Sequence, residues 1–418
     1  MVHYKNSIIL AKVLSFLLMG IVFTIIPFVV NADQISPNPN PSGNTITVST
    51  SGAYNNDNPF TNNGILLIDS PGTLNNNGTL DNGDGTHVND PQYHCYLYNY
   101  GTLNNSGTLN QLNANSSLLY NYDTLNNYSG GTLNNLGMLL NRNSGTLNNS
   151  GTLTNSWGLD NYGSTLNNNS GGILNNNYLL NSRFGGTLNN DGTLNNDATM
   201  GNNSGSTLNN SGMLYNYGTL SNSDTDGSGG TLNNSGWMDN SRTLNNYSGG
   251  TLNNSGSITG TGNYTQTAGT TINNGSMTQT SIQINGGTLS GSGTITGDVT
   301  IGSGASVQPG DPLGTLTVNG NFSSNGNLLF EIGGKHNTGL YDVLTINSGS
   351  VIFVGGNIEF AFIDNYTAKA GDHWDFLHAD SILGWDTLSV TLTGLSPELG
   401  WELKHFKNWV RLVIQKKK

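Results

Sequence analysis

The chain has 418 residues, with 58 Gly, about seventy Asn, only 9% charged side chains and a formal net charge of −12. Asn and Gly are weak helix formers and disorder usually accompanies high charge, so neither a helical enzyme core nor a disordered chain fits. Between Asp33 and Gly334 the only basic residues are Arg142, Arg183 and Arg242, which excludes a phosphate-binding footprint for nucleic acid.

In chain order, residues 1–32 read as an export signal. Lys5 and Lys12 lie in or beside a polar start, an apolar run extends from Val13 to Val30, and Val30-Asn31-Ala32 offers a cleavage site before Asp33. A run this long would also serve as an uncleaved anchor. No later segment could span a bilayer as a helix, and with Cys95 alone there is no disulfide framework. Residues 33–70 read as a linker, Ser36-Pro37-Asn38-Pro39-Asn40-Pro41, and an N-terminal cap holding Thr45–Val48 and Ile65–Ile68.

Residues 71–328 are a repeat. Thr-Leu-Asn-Asn recurs with Ser or Gly after it, and Leu188, Leu194, Met200, Leu208, Leu214 and Leu220 are separated by 6, 6, 8, 6 and 6 residues. Leu232, Met238, Leu244, Leu252 and Ile258 follow the same rule. Three short strands therefore make a unit of about 20 residues, the signature of a solenoid. In each strand Leu points one way while Thr and the Asn that follows Leu point the other. Stacked on its copy one unit later, each Leu meets another Leu, so the expected fold is all-β: a three-sided parallel β-helix, with the eight-residue step favouring the right-handed form. From Leu97 to Ile258 this gives about eight coils and roughly 40 Å of rod. Gly in the Asn-Ser-Gly and Asn-Tyr-Gly corners is expected to supply φ > 0, and stacked Asn side chains to hydrogen-bond along the axis. The surplus residues around Asn113–Ser116 and Ser223–Gly227 are expected as corner loops.

Residues 329–418 regain ordinary composition, with Phe330, Phe353, Phe360, Trp374, Phe376, Trp401 and Trp409, enough apolar bulk for a C-terminal β-domain that seals the rod. Lys404, Lys407, Arg411 and Lys416–Lys418 are expected to form a solvated basic end.

The stretch from Gly291 to Gly310, then Gly314-Thr-Leu-Thr-Val-Asn-Gly320, resembles the passenger β-helices of autotransporter adhesins. Tyr341–Ile346 and Ala370–Phe376 continue that resemblance, and the Asn-rich repeat is similar to filamentous-haemagglutinin-type surface proteins. The resemblance implies an exported adhesin-like protein on or released from the bacterial cell surface. The sequence departs from a classical autotransporter in having no terminal run of alternating barrel strands.

Candidate chemistry is thin. Arg142, Arg183 and Arg242 do not recur at the repeat period and read as isolated exposed charges; Asp160, Asp191, Asp197 and Asp239 occupy variable places of the repeat rather than an opposed pair. Asp81–Gly85 and Asp224–Gly227 have the oxygen-rich look of calcium loops but lack the completing Glu, and His94-Cys95 reads as an incidental pair beside a buried thiol. The tyrosines at 93, 96, 98 and 100 could stack on sugars or pack on one another. No catalytic, cofactor-binding or metal-ligating residue, and no cofactor, is assigned. The expected function is non-enzymatic: a secreted structural or adhesive rod binding host or matrix glycans, surface proteins or other copies of itself through repeated Thr/Asn faces, with no transmembrane span after signal removal. A polysaccharide-active enzyme, a glycan-binding protein and an ice-binding protein are the alternatives.

Overall fold

The computed structural model describes residues 35–49, 53–85, 94–112, 114, 116–223 and 228–417; residues 1–32, read as an export signal, Tyr93 and residues 224–227, read as a corner loop, lie outside them. The chain is an all-β parallel solenoid of about 13 turns, roughly 21 residues each, with a C-terminal β-domain. Each turn holds three short strands, and each strand pairs in parallel with the third strand after it. The first face begins with Thr45–Val48 on Ile65–Ile68, the second with Ala53–Asn56 on Thr73–Asn76, the third with Phe60–Asn62 on Thr79–Asn82. The residues read as an N-terminal cap thus already lie in the three ladders.

The Leu columns make the core. Leu188, Leu208 and Leu232 are in register on the second face and fully buried. Each such side chain contributes on the order of 2 kcal/mol when removed from water, which a strand of four residues obtains only by stacking on its copy. The extra residues lie between strands whose ladders continue on either side. The 112–116 segment joins the third-face strand Thr108–Gln111 to the first-face strand Ser117–Asn121, and Leu97 still pairs with Leu119. The Ser223–Ser228 segment joins the first face to the second, and Thr207 still pairs with Thr231.

The corner glycines behave differently from expectation. Gly151, Gly212, Gly236 and Gly256, in Asn-Ser-Gly corners, are absent from the positive-φ region, which is occupied at wider corners by residues such as Gly130 at φ 84°. Gly192, Gly212, Gly236, Gly256 and Gly275 instead form a column where a Cβ would collide with the carbonyl oxygen of the glycine one coil below. Close coil-on-coil approach, rather than backbone handedness, demands glycine there. Of the Asn-Tyr-Gly corners, that at Gly163 does have positive φ, at 55°, whereas Gly101 and Gly218 belong to the close-approach kind.

Toward the C-terminus the strands lengthen. Ser276–Gly291 and Thr294–Pro309 each wrap all three faces, and the interior changes from Leu and Asn to Ile, Val and Phe. The aromatic C-terminal region keeps the parallel ladders as far as Ser389–Thr393, with Phe330, Phe360 and Phe376 in mutual contact. Trp409–Lys416 then runs antiparallel to both His373–His378 and Leu399–His405. Reversing direction covers one strand edge that would otherwise accept another coil.

Candidate functional site

Alternation along Thr-Leu-Asn-Asn sorts the repeat into inner and outer halves. Leu and the second Asn face inward, while Thr and the first Asn are partly exposed. The sequence reading anticipated Leu inside and stacking of Asn along the axis, but did not place the second Asn in the interior. A signal for it exists within the repeats: Thr154, Tyr215, Ser221 and Asp239 replace the first Asn while the Asn that follows is retained at 155, 216, 222 and 240.

On the second face the buried asparagines form an unbroken ladder. Asn56, Asn76, Asn105, Asn127, Asn149, Asn168, Asn190, Asn210, Asn234, Asn254 and Asn273 are joined by ten bonds of 2.7–2.8 Å, each Nδ2 donating to the Oδ1 of the next coil. The second hydrogen of each amide closes the neighbouring corner, as where Asn190 Nδ2 donates to the Met213 carbonyl at 2.9 Å. Because the atom facing that carbonyl must be the nitrogen, the corner bond sets the direction of the ladder. Two donors and one acceptor are thereby satisfied on a group excluded from water.

The other two faces carry the same device with breaks. On the first face Ser182 is too short to continue it, and Asn202 Oδ1 is left without a partner; on the third, Gln111 Nε2 and Asn135 Oδ1 fail to meet.

Outside, the second face is the most regular surface of the rod. Thr73, Thr102, Thr124, Thr146, Thr165, Thr187, Thr207, Thr231 and Thr251 stand in direct register over nine coils. Beside them Asn55, Asn75, Asn104, Asn126, Asn148, Asn167, Asn189, Asn209, Asn233 and Asn253 are joined by bonds of 2.8–3.0 Å that run in the reverse direction, each amide donating to the coil before it. Between Thr73 and Asn253 these two columns contain no charged and no aromatic residue. Locking an amide in the ladder fixes its rotamer and leaves one N–H and a carbonyl lone pair toward solvent, except at Asn104, whose oxygen also accepts from the Tyr128 hydroxyl at 3.0 Å.

The first face is built otherwise. Tyr98 stacks on Tyr120 at 5.1 Å and Tyr100 on Tyr122 at 4.7 Å, so between them the ring faces are occupied by one another. Burial pushes the Tyr100 hydroxyl up to about 12, with its stacked partner Tyr122 adding to the shift, so it stays a hydrogen-bond donor at neutral pH. The same column continues as Arg142, Tyr162 and Arg183. Arg142 and Arg183 are not the isolated charges expected: Arg183 grips buried Asp160 through two bonds of 2.7 and 2.8 Å, Arg142 lies 3.5 Å from the same carboxylate, and both guanidinium groups flank the Tyr162 ring. Adjacent coils bring together residues 18 and 23 positions apart.

The remaining candidates stay dispersed. Asp191 lies at the corner between the second and third faces, Asp197 at that between the third and first, and Asp239 on the third face. Asp81 accepts from Asn110 at 2.7 Å. Cys95 is buried and its thiol is pushed up to about 11 by burial, with Asp84 adding to the effect, so it is a poor nucleophile. Two shallow hollows of about 180 and 220 Å³, beside Asn274 and beside Tyr247, are each lined by one ionisable side chain, Asp311 and Tyr247 respectively. No helix among the described residues is long and apolar enough to cross a membrane. No protein-family model matches the chain, and no curated protein matches it significantly.

Proposed function

We propose that this β-solenoid, a structural repeat protein by its architecture, acts as an exported, non-catalytic adhesive rod at the cell surface. The observation that carries this reading is the outward Thr/Asn array of the second face, rigid and uncharged over nine coils. One hydroxyl or amide gives little affinity in water, whereas a row of them engages a repetitive partner many times over. Glycans or surface proteins with repeated polar groups are the partners such a face suits, and the apolar run Val13–Val30 supports export. Fractionation of the native cells with an impermeant surface label tests it. The displayed or released fraction is expected to hold the protein, and recovery wholly from the cytoplasm with residues 1–32 intact overturns it.

A further inference from the structure

We propose that the second face binds the surface of ice, with the Thr column from Thr73 to Thr251 and the Asn column beside it as the contact. This rests on the reading of that face as a binding surface and names its ligand as a lattice of hydrogen-bonded oxygens. The face presents a two-dimensional repeat: about 4.8 Å from coil to coil, and about 6.7 Å from Thr to Asn two residues along the strand. In tetrahedrally bonded water, an O···O distance of about 2.75 Å places second-neighbour oxygens about 4.5 Å apart. Over a few successive coils a Thr hydroxyl therefore falls near alternate oxygens of a row; the mismatch of about 0.3 Å per coil grows to about 2.4 Å along the whole column, so the match holds over short stretches of it.

Three features of the site favour a crystal over a dissolved ligand. The amides are preorganised, since Asn189, Asn209 and Asn233 each donate to the coil before at 2.8 Å and so present their remaining groups at equal height. No ion stands within either column between Thr73 and Asn253, and the flanking Asp123 carboxylate accepts from the Thr124 hydroxyl at 3.1 Å. No aromatic ring stands within either column, and the flanking Tyr128 is tied through its hydroxyl to Asn104 Oδ1 at 3.0 Å. The register of the face survives the longest connection: on either side of residues 223–228 Thr207 and Thr231 remain paired, and Asn233 still bonds to Asn209. An array of this kind gains contacts in proportion to the number of coils that match, which only a ligand of the same repeat can exploit.

The experiment compares the full chain with Thr165→Tyr/Thr207→Tyr on the second face and with Thr154→Tyr/Thr219→Tyr on the other two faces, all checked for fold by circular dichroism and melting. Purified protein is partitioned into a slowly grown ice front, and the gap between melting and freezing temperatures is read in a nanolitre osmometer. The wild type and the Thr154/Thr219 variant should enter the ice and open a measurable gap, and the Thr165/Thr207 variant should fall to the buffer value. Exclusion of the wild type from ice overturns the proposal. Equal loss in both variants also overturns it, because the effect would not belong to this face. Retention on crystalline cellulose or chitin without any effect on ice assigns the face to polysaccharide instead. Failure here leaves surface display standing, whereas a cytoplasmic location would remove the surface reading without altering the ice result.

Discussion

Asn190 donates to Asn210 in the interior at 2.7 Å, while on the opposite side of the same two strands Asn209 donates to Asn189 at 2.8 Å. The inner and outer amide ladders thus run in opposite directions along the rod, one shielded from water and one wetted by it. Removing a member should therefore cost very different amounts on the two sides. Asn190→Ala strands the Asn168 donor, the Asn210 oxygen and the Met213 carbonyl, and should lower stability by about 3 kcal/mol or more, whereas Asn189→Ala should cost under about 1 kcal/mol because water replaces the bond. Urea unfolding of the two variants checks this, and comparable losses would contradict the buried ladder.

The glycine column makes a second contrast. At Gly192 a Cβ meets the Gly172 carbonyl, a backbone atom that cannot rotate away, while at Gly185, with φ 79°, it meets open space. Gly192→Ala should destabilise by more than about 2 kcal/mol through displaced coils, and Gly185→Ala by about 1 kcal/mol through its left-handed backbone alone. Thermal melting separates them.

Around Asp160 the expected order is Arg183 well ahead of Arg142. Arg183→Ala leaves a buried carboxylate short of its bidentate partner and should cost about 1–3 kcal/mol; Arg142→Ala, at 3.5 Å and more loosely engaged, should cost under about 1 kcal/mol. Adding Asp160→Asn to Arg183→Ala should recover part of the loss, because the unpaired charge is then gone. A double-mutant cycle measures the coupling.

Asp342 gives the fold a pH dependence. Burial lifts its carboxyl to about 7 from an ordinary 3.8, outweighing the backbone N–H groups of Glu331 and Gly314 that bond to it. Between those two values the folded chain holds a proton that the unfolded chain has released. Stability should therefore be fullest below about pH 4, fall as pH rises toward 7, and level off above it, by up to about 4 kcal/mol. Melting across this window should show the slope, and Asp342→Asn should flatten it whatever its effect on absolute stability.

Much of this architecture is legible in the one-dimensional pattern. Leu188, Leu208 and Leu232 must be buried, their strands are too short to bury anything alone, and the nearest identical surface is the next repeat; period and hydrophobicity therefore imply the stack. The same logic placed the aromatic β-domain at the C-terminal end. What lies one coil away was not legible, because the connection between coils varies in length and reading one strand does not reveal its neighbour. The inward Asn ladder, the collision that forces glycine at position 192, and the meeting of Arg142, Asp160 and Arg183 all depend on atoms brought together by winding. Period alone determined that the chain stacks; the tertiary structure decided which polar groups the stack encloses, since a buried amide survives only where the coils above and below complete its hydrogen bonds.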